Sequence, residues 1–146
     1  MSAITFDQVF LQFPRTVHPA VNHCSFEVNE GELVVILGPS GCGKTTLLKM
    51  VNRLYEPSRG QITLNGQDIR RVNINRLRQQ IGYVIQQSGL FPHMTVAQNV
   101  AVVPELLNWS RPKTQARIDE LLMLVGLPPQ EYRDRYPAQL SGGQQQ

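Results

Sequence analysis

The chain has 146 residues, of which 41% are hydrophobic and 17% charged, with a net charge of +3 at neutral pH. This composition fits one modest folded domain and excludes a disordered chain, and no apolar run approaches the roughly 20 residues of a membrane-spanning helix. The basic residues are scattered, and their densest group (Arg70, Arg71, Arg76 and Arg78) predicts a solvated helix face and no nucleic-acid partner.

The N-terminal region alternates apolar and polar residues, which is typical of a half-buried strand. Ile4 and Phe6 lie in one phase, whereas the apolar residues of 9–13 lie in the opposite phase. The change of phase predicts a β-bulge or a turn near residues 7–8, because one extra residue moves every later side chain to the other face. A second alternating strand, residues 24–28, is predicted to end in an Asn-Glu-Gly turn.

A glycine-rich segment follows, and its surroundings are those of a phosphate-binding loop. The letters GPSGCGKT at residues 38–45 match the pattern with four residues between two glycines. They lie between an apolar run at 33–37, which predicts a parallel strand buried on both faces, and a helix-like run that begins at Thr46. The glycines let successive backbone amides point inward at a helix N-terminus. The sequence therefore predicts that the chain binds a nucleoside triphosphate.

Two side chains of this loop have distinct expected roles. Lys44 adds a mobile positive charge for the terminal phosphates, and Thr45 offers a hydroxyl to the Mg²⁺ that accompanies the nucleotide. The residues assigned to nucleotide binding are the loop and the residue after it: Gly38, Pro39, Ser40, Gly41, Cys42, Gly43, Lys44, Thr45 and Thr46.

Downstream of the loop helix, the sequence predicts a hairpin and a second core strand. Ile62 and Leu64 alternate up to Asn65-Gly66, the strongest short signal of a hairpin. Residues 81–85 predict a buried strand, with Gln86 at its carboxyl end, where ligands of open α/β sheets gather. From spacing alone, a site role and an ordinary polar loop position are equally weighted for Gln86.

The last third of the chain has a helical pattern. A capping-box pattern at residues 95–98 opens a stripe of valines over 96–103, which Pro104 is predicted to end. A second apolar stripe, residues 118–125, is predicted to stop at Gly126. We expect these stripes to pack into a core and not to bind a membrane surface, because the opposite faces carry no basic excess.

The chain closes with LSGGQQQ at residues 140–146. The order of phosphate-binding loop, glutamine and LSGGQ resembles, over the whole chain, the nucleotide-binding subunits of ABC transporters. The resemblance implies that this signature of one subunit faces the γ-phosphate held by the loop of a second subunit. Exposed amides at a helix N-terminus would serve that purpose. The positions implied are Ser141, Gly142, Gly143 and Gln144.

The same resemblance implies roles for three further residues. Gln86, in YVIQQ, matches the family glutamine that contacts Mg²⁺ and senses the transmembrane partner. Phe13, in LQFP, matches the aromatic residue that stacks on adenine, without the hydroxyl of the usual tyrosine, and packing in the core remains its alternative. His93, in GLFPHMT, lies where the family docks the coupling helix of the membrane subunit, and an ordinary surface loop remains its alternative.

Two longer stretches, 81–110 and 125–146, are most similar to ATPase subunits of osmoprotectant importers for glycine betaine, carnitine or choline. The implied partners are ATP with Mg²⁺, permease subunits, a second nucleotide-binding subunit and, indirectly, a substrate-binding protein outside the membrane. The N-terminus shows no secretory signal pattern. We therefore expect a peripheral location on the cytoplasmic face of the cell membrane, through the permease.

We predict an α/β fold, the P-loop NTPase core of an ABC ATPase, incomplete at the C-terminus. Residues 1–94 would form the antiparallel β subdomain and the loop core, and 95–146 a helical subdomain ending at the signature. The resemblance implies two further elements after the signature, an apolar strand ending in Asp-Glu and a switch histidine, and the sequence contains neither. No catalytic residue is therefore assigned. We expect a truncated subunit that binds ATP without hydrolysing it. A noncatalytic fragment that pairs with intact subunits, and a soluble ABC ATPase, remain the alternatives.

Overall fold

The computed structural model describes residues 2–86 and 89–146. The chain divides into two compact units, Met1–Tyr83 and Val84–Gln146. The first contains all four strands of the described sheet and two helices, and the second is helical. Among the described residues, no helix combines the length and the apolar character needed to cross a membrane.

The first unit is built on an antiparallel sheet of four strands in the order β2-β1-β3-β4. The strands are β1 (Ser2–Leu11), β2 (Val21–Asn29), β3 (Arg59–Leu64) and β4 (Gln67–Asp68). Asn65 and Gly66 join the last two strands with φ angles of 49° and 76°. Positive φ at both central residues is the requirement of the tight hairpin turn that an Asn-Gly pair favours. The predicted hairpin is therefore confirmed.

A bulge interrupts β1 where the sequence predicts it. Phe6 is paired with Phe26, but the next pair on this edge joins Val9 to Cys24, and Gln8 has a φ of 47°. The Oγ atom of Ser25 accepts hydrogen bonds from both the backbone N–H and the side-chain amide of Gln8, which holds the extra residue in place. The bulge turns Phe6 and Val9 to the same buried face.

One helix covers the buried face of this sheet. The side chains of Phe6, Val9 and Ile62 pack with those of Leu47 and Met50 from α1 (Lys44–Val51). The short helix α2 (Ile74–Gln79) adds Leu77 to the same cluster. Helix α1 begins at Lys44, two residues before the predicted start, so Lys44 and Thr45 belong to its first turn. The core thus fixes the direction of α1 and the position of the loop that precedes it.

The structure contradicts the two predicted core strands. Residues 33–37 have no strand partner within the described part of the chain, and Leu33 and Leu37 are 89% and 85% exposed. Residues 81–85 are likewise not a strand, and Tyr83, Val84 and Ile85 are exposed. An apolar run favours burial, but a strand forms only where a neighbour supplies hydrogen-bond partners to its backbone. The described sheet offers neither segment such a neighbour.

Helices form the second unit. They are α3 (Val96–Leu106), α4 (Arg111–Leu124), α5 (Pro129–Tyr132) and α6 (Gly142–Gln145), with a 3₁₀ turn at Pro137–Gln139. The predicted capping box is confirmed: Thr95 Oγ1 accepts from the Gln98 amide, and Gln98 Oε1 accepts from the Thr95 amide. The buried cluster of this unit comprises Val96, Ala101, Ile118, Leu122, Leu127 and Leu140.

Two details of these helices differ from prediction. Pro104 lies inside α3 and does not end it: the helix continues to Leu106, and the Pro104 carbonyl accepts from the Trp109 amide at 3.0 Å. The outer members of the predicted stripes are exposed, Val103 by 60% and Val125 by 66%. The predicted stop at Gly126 is confirmed, since α4 ends at Leu124 and Gly126 has a φ of 73°.

Candidate functional site

The segment 38–43 forms a tight loop that leads directly into α1. Gly43 is the N-cap residue of α1 with a φ of 97°, and no side chain of the described residues caps this helix end. A Cβ atom built on Gly43 would lie 2.1 Å from the carbonyl oxygen of Ala20. The first amides of α1 have no acceptor within the helix, and its first turn carries no acidic residue. The loop and the helix end therefore present N–H donors and a partial positive charge to an anion.

The side chain of Lys44 folds back over this loop. Its Nζ atom donates hydrogen bonds to the carbonyl oxygens of Gly38 at 2.6 Å and Pro39 at 2.7 Å, and it lies 3.5 Å from the Sγ atom of Cys42. The ammonium is thus held by the backbone of the loop and not by a carboxylate. In the part of the chain that the structure describes, no acidic side chain forms an ion pair with it, which suits its charge to a polyphosphate.

A cavity of 340 Å³ adjoins the loop in the same unit. Its lining combines three predicted site residues, Cys42, Gly43 and Lys44, with residues that the sequence analysis did not assign. The unassigned residues are Pro19, Ala20, Val21, Asn22, Cys24, Ile36, Leu37 and Leu47. Three of them (Val21, Asn22 and Cys24) lie in β2, and Pro19 and Ala20 directly precede that strand. The sequence alone cannot place these residues beside the loop, because that contact depends on how the sheet packs on α1.

Phe13 lies on the segment 12–19, which joins β1 to β2. The ends of this segment are tied by a hydrogen bond of 2.8 Å from the Ala20 amide to the Leu11 carbonyl, and Ala20 also contacts the phosphate-loop residue Gly43. The Phe13 ring is half-buried and meets the Tyr55 ring edge to face, with centroids 5.1 Å apart and planes at 79°. It also packs against the core of the first unit, so the predicted packing role is observed, and part of the residue remains accessible.

The threonines that follow Lys44 occupy the first turn of α1. Thr45 is exposed and Thr46 is half-buried. Within residues 2–86 and 89–146, no cluster of three or more His, Cys, Asp or Glu side chains could hold a metal ion. A single hydroxyl beside a phosphate site nevertheless fits Mg²⁺, which keeps most of its water ligands and takes the remainder from phosphate.

The signature residues form a capped turn in the second unit. Ser141 Oγ accepts from the Gln144 amide at 3.4 Å, and Gln144 Oε1 accepts from the Ser141 amide at 3.0 Å. Gln144 also donates through Nε2 to the hydroxyl of Tyr132 at 3.2 Å. No atom lies within 4 Å of a Cβ built on Gly142 or Gly143, so this turn presents an open backbone surface.

Gln86 and His93 are exposed residues of the second unit. Gln86 lies at a bend, and the predicted strand that would have presented it is absent. His93 lies in a turn that Asn99 organises: Asn99 Nδ2 donates to the carbonyls of Phe91 and Met94, and Asn99 Oδ1 accepts from the Phe91 amide at 2.7 Å. The sequence analysis did not assign Asn99, although Asn is a residue type that commonly bonds to nearby backbone.

Comparison with known proteins gives one family model and relatives whose names agree with it. A family model described as ABC transporter matches residues 21–146. The carnitine transport ATP-binding protein OpuCA of Listeria monocytogenes is 55% identical over 127 residues, which are 87% of this chain and 32% of that protein. The osmoprotectant import ATP-binding protein OsmV of Salmonella typhimurium is 50% identical over 127 residues, covering 87% of this chain and 33% of OsmV. The chain thus spans about a third of the length of these curated relatives.

Solved structures with the same fold include an ATP-binding cassette and a component of an ABC transporter complex. The dimeric ATP-binding cassette MJ0796 bound to ADP and Pi superposes with a TM-score of 0.82 at 28% identity, covering 97% of this chain and 65% of that one. The cbiO1 protein from Clostridium perfringens, part of the transporter complex cbiONQ, gives a TM-score of 0.87 at 26% identity over 99% of this chain and 57% of its own.

Proposed function

Because the chain belongs to the ABC transporter family, we propose that it acts as the ATP-binding subunit of an importer for an osmoprotectant such as a quaternary amine. The predicted ABC ATPase fold is confirmed by its structural neighbours. The cargo class is taken from the relatives, which are named for carnitine, choline, glycine betaine and osmoprotectant transport.

The observation that carries this proposal is the Lys44 ammonium, held over the loop by the carbonyls of Gly38 and Pro39. Together with the open amides at the start of α1, it supports binding of the β- and γ-phosphates of ATP. Thr45 would hold the accompanying Mg²⁺ through its hydroxyl. A contact of Gln86 with Mg²⁺ is proposed from its match to the family glutamine alone. The ion would neutralise phosphate charge, and the loop would hold the phosphates in one orientation.

The adenine ring is proposed to stack on Phe13. The segment 12–19, which carries Phe13, is followed directly by Ala20, which lines the cavity beside the loop. Stacking on phenylalanine keeps the π face of the usual tyrosine and loses its hydroxyl. The ring therefore contributes apolar area and stacking, while the phosphates supply most of the electrostatic attraction.

The signature is proposed to bind the γ-phosphate of an ATP molecule held by a second nucleotide-binding subunit. Gly142 and Gly143 leave the backbone open there, and the capping box holds Ser141 and Gln144 in a fixed arrangement. Contacts made only in the closed dimer would favour closure on ATP binding. Closure would drive permease subunits docked near the turn of His93, at the cytoplasmic face of the membrane, and a substrate-binding protein would deliver the cargo.

A genetic experiment tests the cargo class. Deleting the gene that encodes this chain is expected to abolish uptake of radiolabelled glycine betaine, carnitine or choline at high osmolarity. Reintroducing the gene should restore uptake, and reintroducing it with Lys44→Ala should not. Sulfate uptake is the matched control, because sulfate importers are among the similar proteins. Loss of sulfate uptake with unchanged osmoprotectant uptake would refute the proposed cargo.

A further inference from the structure

The backbone around Phe13 is held by three local hydrogen bonds. The Phe13 carbonyl accepts from the Thr16 amide at 3.2 Å and from Thr16 Oγ1 at 2.8 Å. The side-chain amide of Gln12 donates to the Thr16 carbonyl at 2.7 Å. Arg15 completes the turn with a φ of 68°. The position of the Phe13 Cα atom is therefore set by the turn, but these bonds leave the two side-chain torsions of Phe13 free.

Tyr55 supplies the contact that restricts those torsions. It follows α1, and it meets the Phe13 ring at a centroid distance of 5.1 Å in an edge-to-face arrangement. The Nζ atom of Lys49 lies 5.6 Å from the centroid of the Tyr55 ring. The row Lys49, Tyr55, Phe13 thus links the last turn of α1 to the segment 12–19. Tyr55 is itself half-buried and packs against the core of the first unit.

The geometry of this contact leaves Phe13 able to stack. An edge-to-face pair occupies at most one face of either ring. The Phe13 side chain is half-buried, so part of it remains accessible to a flat partner beside this pair and the core contacts. A platform that is already oriented loses little rotamer freedom when a ligand binds, which improves affinity without a new contact to the ligand. Phe13 has no hydroxyl through which another group could anchor the ring, so its orientation depends on packing.

We propose that Tyr55 is a positioning residue that holds the Phe13 ring ready for the adenine of ATP, without contacting the nucleotide itself. The proposal rests on the proposed function, and in particular on stacking of adenine by Phe13. It predicts that Tyr55 influences the base-dependent part of the affinity only. The phosphate-dependent part of the affinity comes from the loop and Lys44. Among the described residues, the ring of Tyr55 meets Phe13 and Lys49, and Lys44 bonds to the loop carbonyls.

Calorimetric titration with two ligands separates these parts. Mg-ATP carries the base, and Mg-tripolyphosphate has the phosphates alone. Tyr55→Leu, which keeps apolar volume but removes the ring, is expected to weaken ATP binding roughly two- to tenfold, the range that an edge-to-face aromatic pair is worth. Its affinity for tripolyphosphate should equal that of the wild type. Tyr55→Phe keeps the ring and should restore ATP affinity. Tyr136→Leu, at a 46% exposed tyrosine of the other unit, is the matched control and should change neither affinity.

A double-mutant cycle completes the test. Phe13→Leu should weaken ATP binding and spare tripolyphosphate, and adding Tyr55→Leu to it should cause no further loss, because the second residue acts through the first. Equal ATP affinity in wild type and Tyr55→Leu would overturn the inference, as would an equal loss for both ligands or full additivity of the two substitutions. A wild-type protein that binds neither ligand would instead refute the proposed function.

Discussion

The Nζ atom of Lys44 lies 2.6 Å from the carbonyl oxygen of Gly38, so the first glycine of the segment 38–45 binds the lysine near the end of the same segment. Lys44 is the first residue of α1, and the bond closes the loop on itself. A cation held by neutral carbonyls keeps its full charge for an anion, whereas one paired with a carboxylate would not.

Lys44→Ala is expected to weaken ATP binding strongly, because it removes a charged donor that lies over the loop. The expected loss in affinity is about tenfold to a hundredfold or more, the range for hydrogen bonds from a charged group. A fluorescent-nucleotide titration measures it. Lys113→Ala is the matched control, since Lys113 lies over the Trp109 ring in the second unit. Equal affinity in wild type and Lys44→Ala would refute the assignment of the loop.

Gly43→Ala is expected to damage both stability and nucleotide binding. Its Cβ would lie 2.1 Å from the Ala20 carbonyl oxygen at a φ of 97°, so the start of β2 and the loop must separate. Gly66→Ala is the matched control, because Gly66 has a φ of 76° but open space around its Cβ position. Urea unfolding should show a loss of roughly 1–2 kcal/mol for Gly66→Ala from backbone strain alone. The loss for Gly43→Ala should be clearly larger, and a smaller or equal loss would contradict the observed close approach.

Asn99→Asp is expected to loosen the turn that carries His93. The wild-type Nδ2 atom donates to the carbonyls of Phe91, Met94 and Thr95, and a carboxylate cannot donate to any of them. The expected cost is about 1–3 kcal/mol, and amide exchange at Phe91 and Met94 should accelerate. Asn108→Asp, at an exposed position, should leave exchange in this turn unchanged. Unaltered exchange in Asn99→Asp would show that the turn does not depend on these bonds.

Asp68 should make the stability of the first unit sensitive to acid. Burial raises the pKa of this carboxyl, but hydrogen bonds from the Arg70 backbone and side chain and the charges of Arg70 and Arg71 outweigh burial and hold the pKa below its usual value of 3.8. A depressed pKa means that Asp68 stabilises the folded state above its unfolded pKa and loses this contribution as the pH falls through its folded pKa. Unfolding measured from neutral pH into this acidic range should therefore show a smaller acid-induced loss in Asp68→Asn than in wild type. Parallel profiles for the two proteins would contradict the prediction.

Local features of this fold could be predicted from the sequence because neighbouring residues determine them. The phase change between Phe6 and Val9, the Asn65-Gly66 turn and the Thr95 capping box all depend on a few adjacent side chains. The loop at 38–45 belongs to the same class, since its glycines and its lysine act within one turn of chain.

Features that join distant segments could not be predicted in the same way. The Ala20 carbonyl lies against Gly43, and Tyr55 meets Phe13, only because the sheet packs on α1 in one particular way. Residues 33–37 show the converse: their apolar composition predicts burial, but composition does not say which strand supplies the hydrogen bonds. The phosphate-binding role of residues 38–45 therefore stays a prediction from the sequence, and the sequence did not assign most of the residues that line the adjoining cavity.

The central position of β1 also governs when this unit can assemble during synthesis. Ile4 pairs with Val28 of β2 on one side and with Leu64 of β3 on the other. Because β3 follows β1 and β2 in the chain, β1 pairs with β3 only after β3 has been synthesised. A nascent chain on the ribosome must keep one edge of β1 unpaired until β3 has left the exit tunnel, since long-range pairing waits for its partner. Slow translation between these two strands would prolong the time for which that edge of β1 is exposed to chaperones.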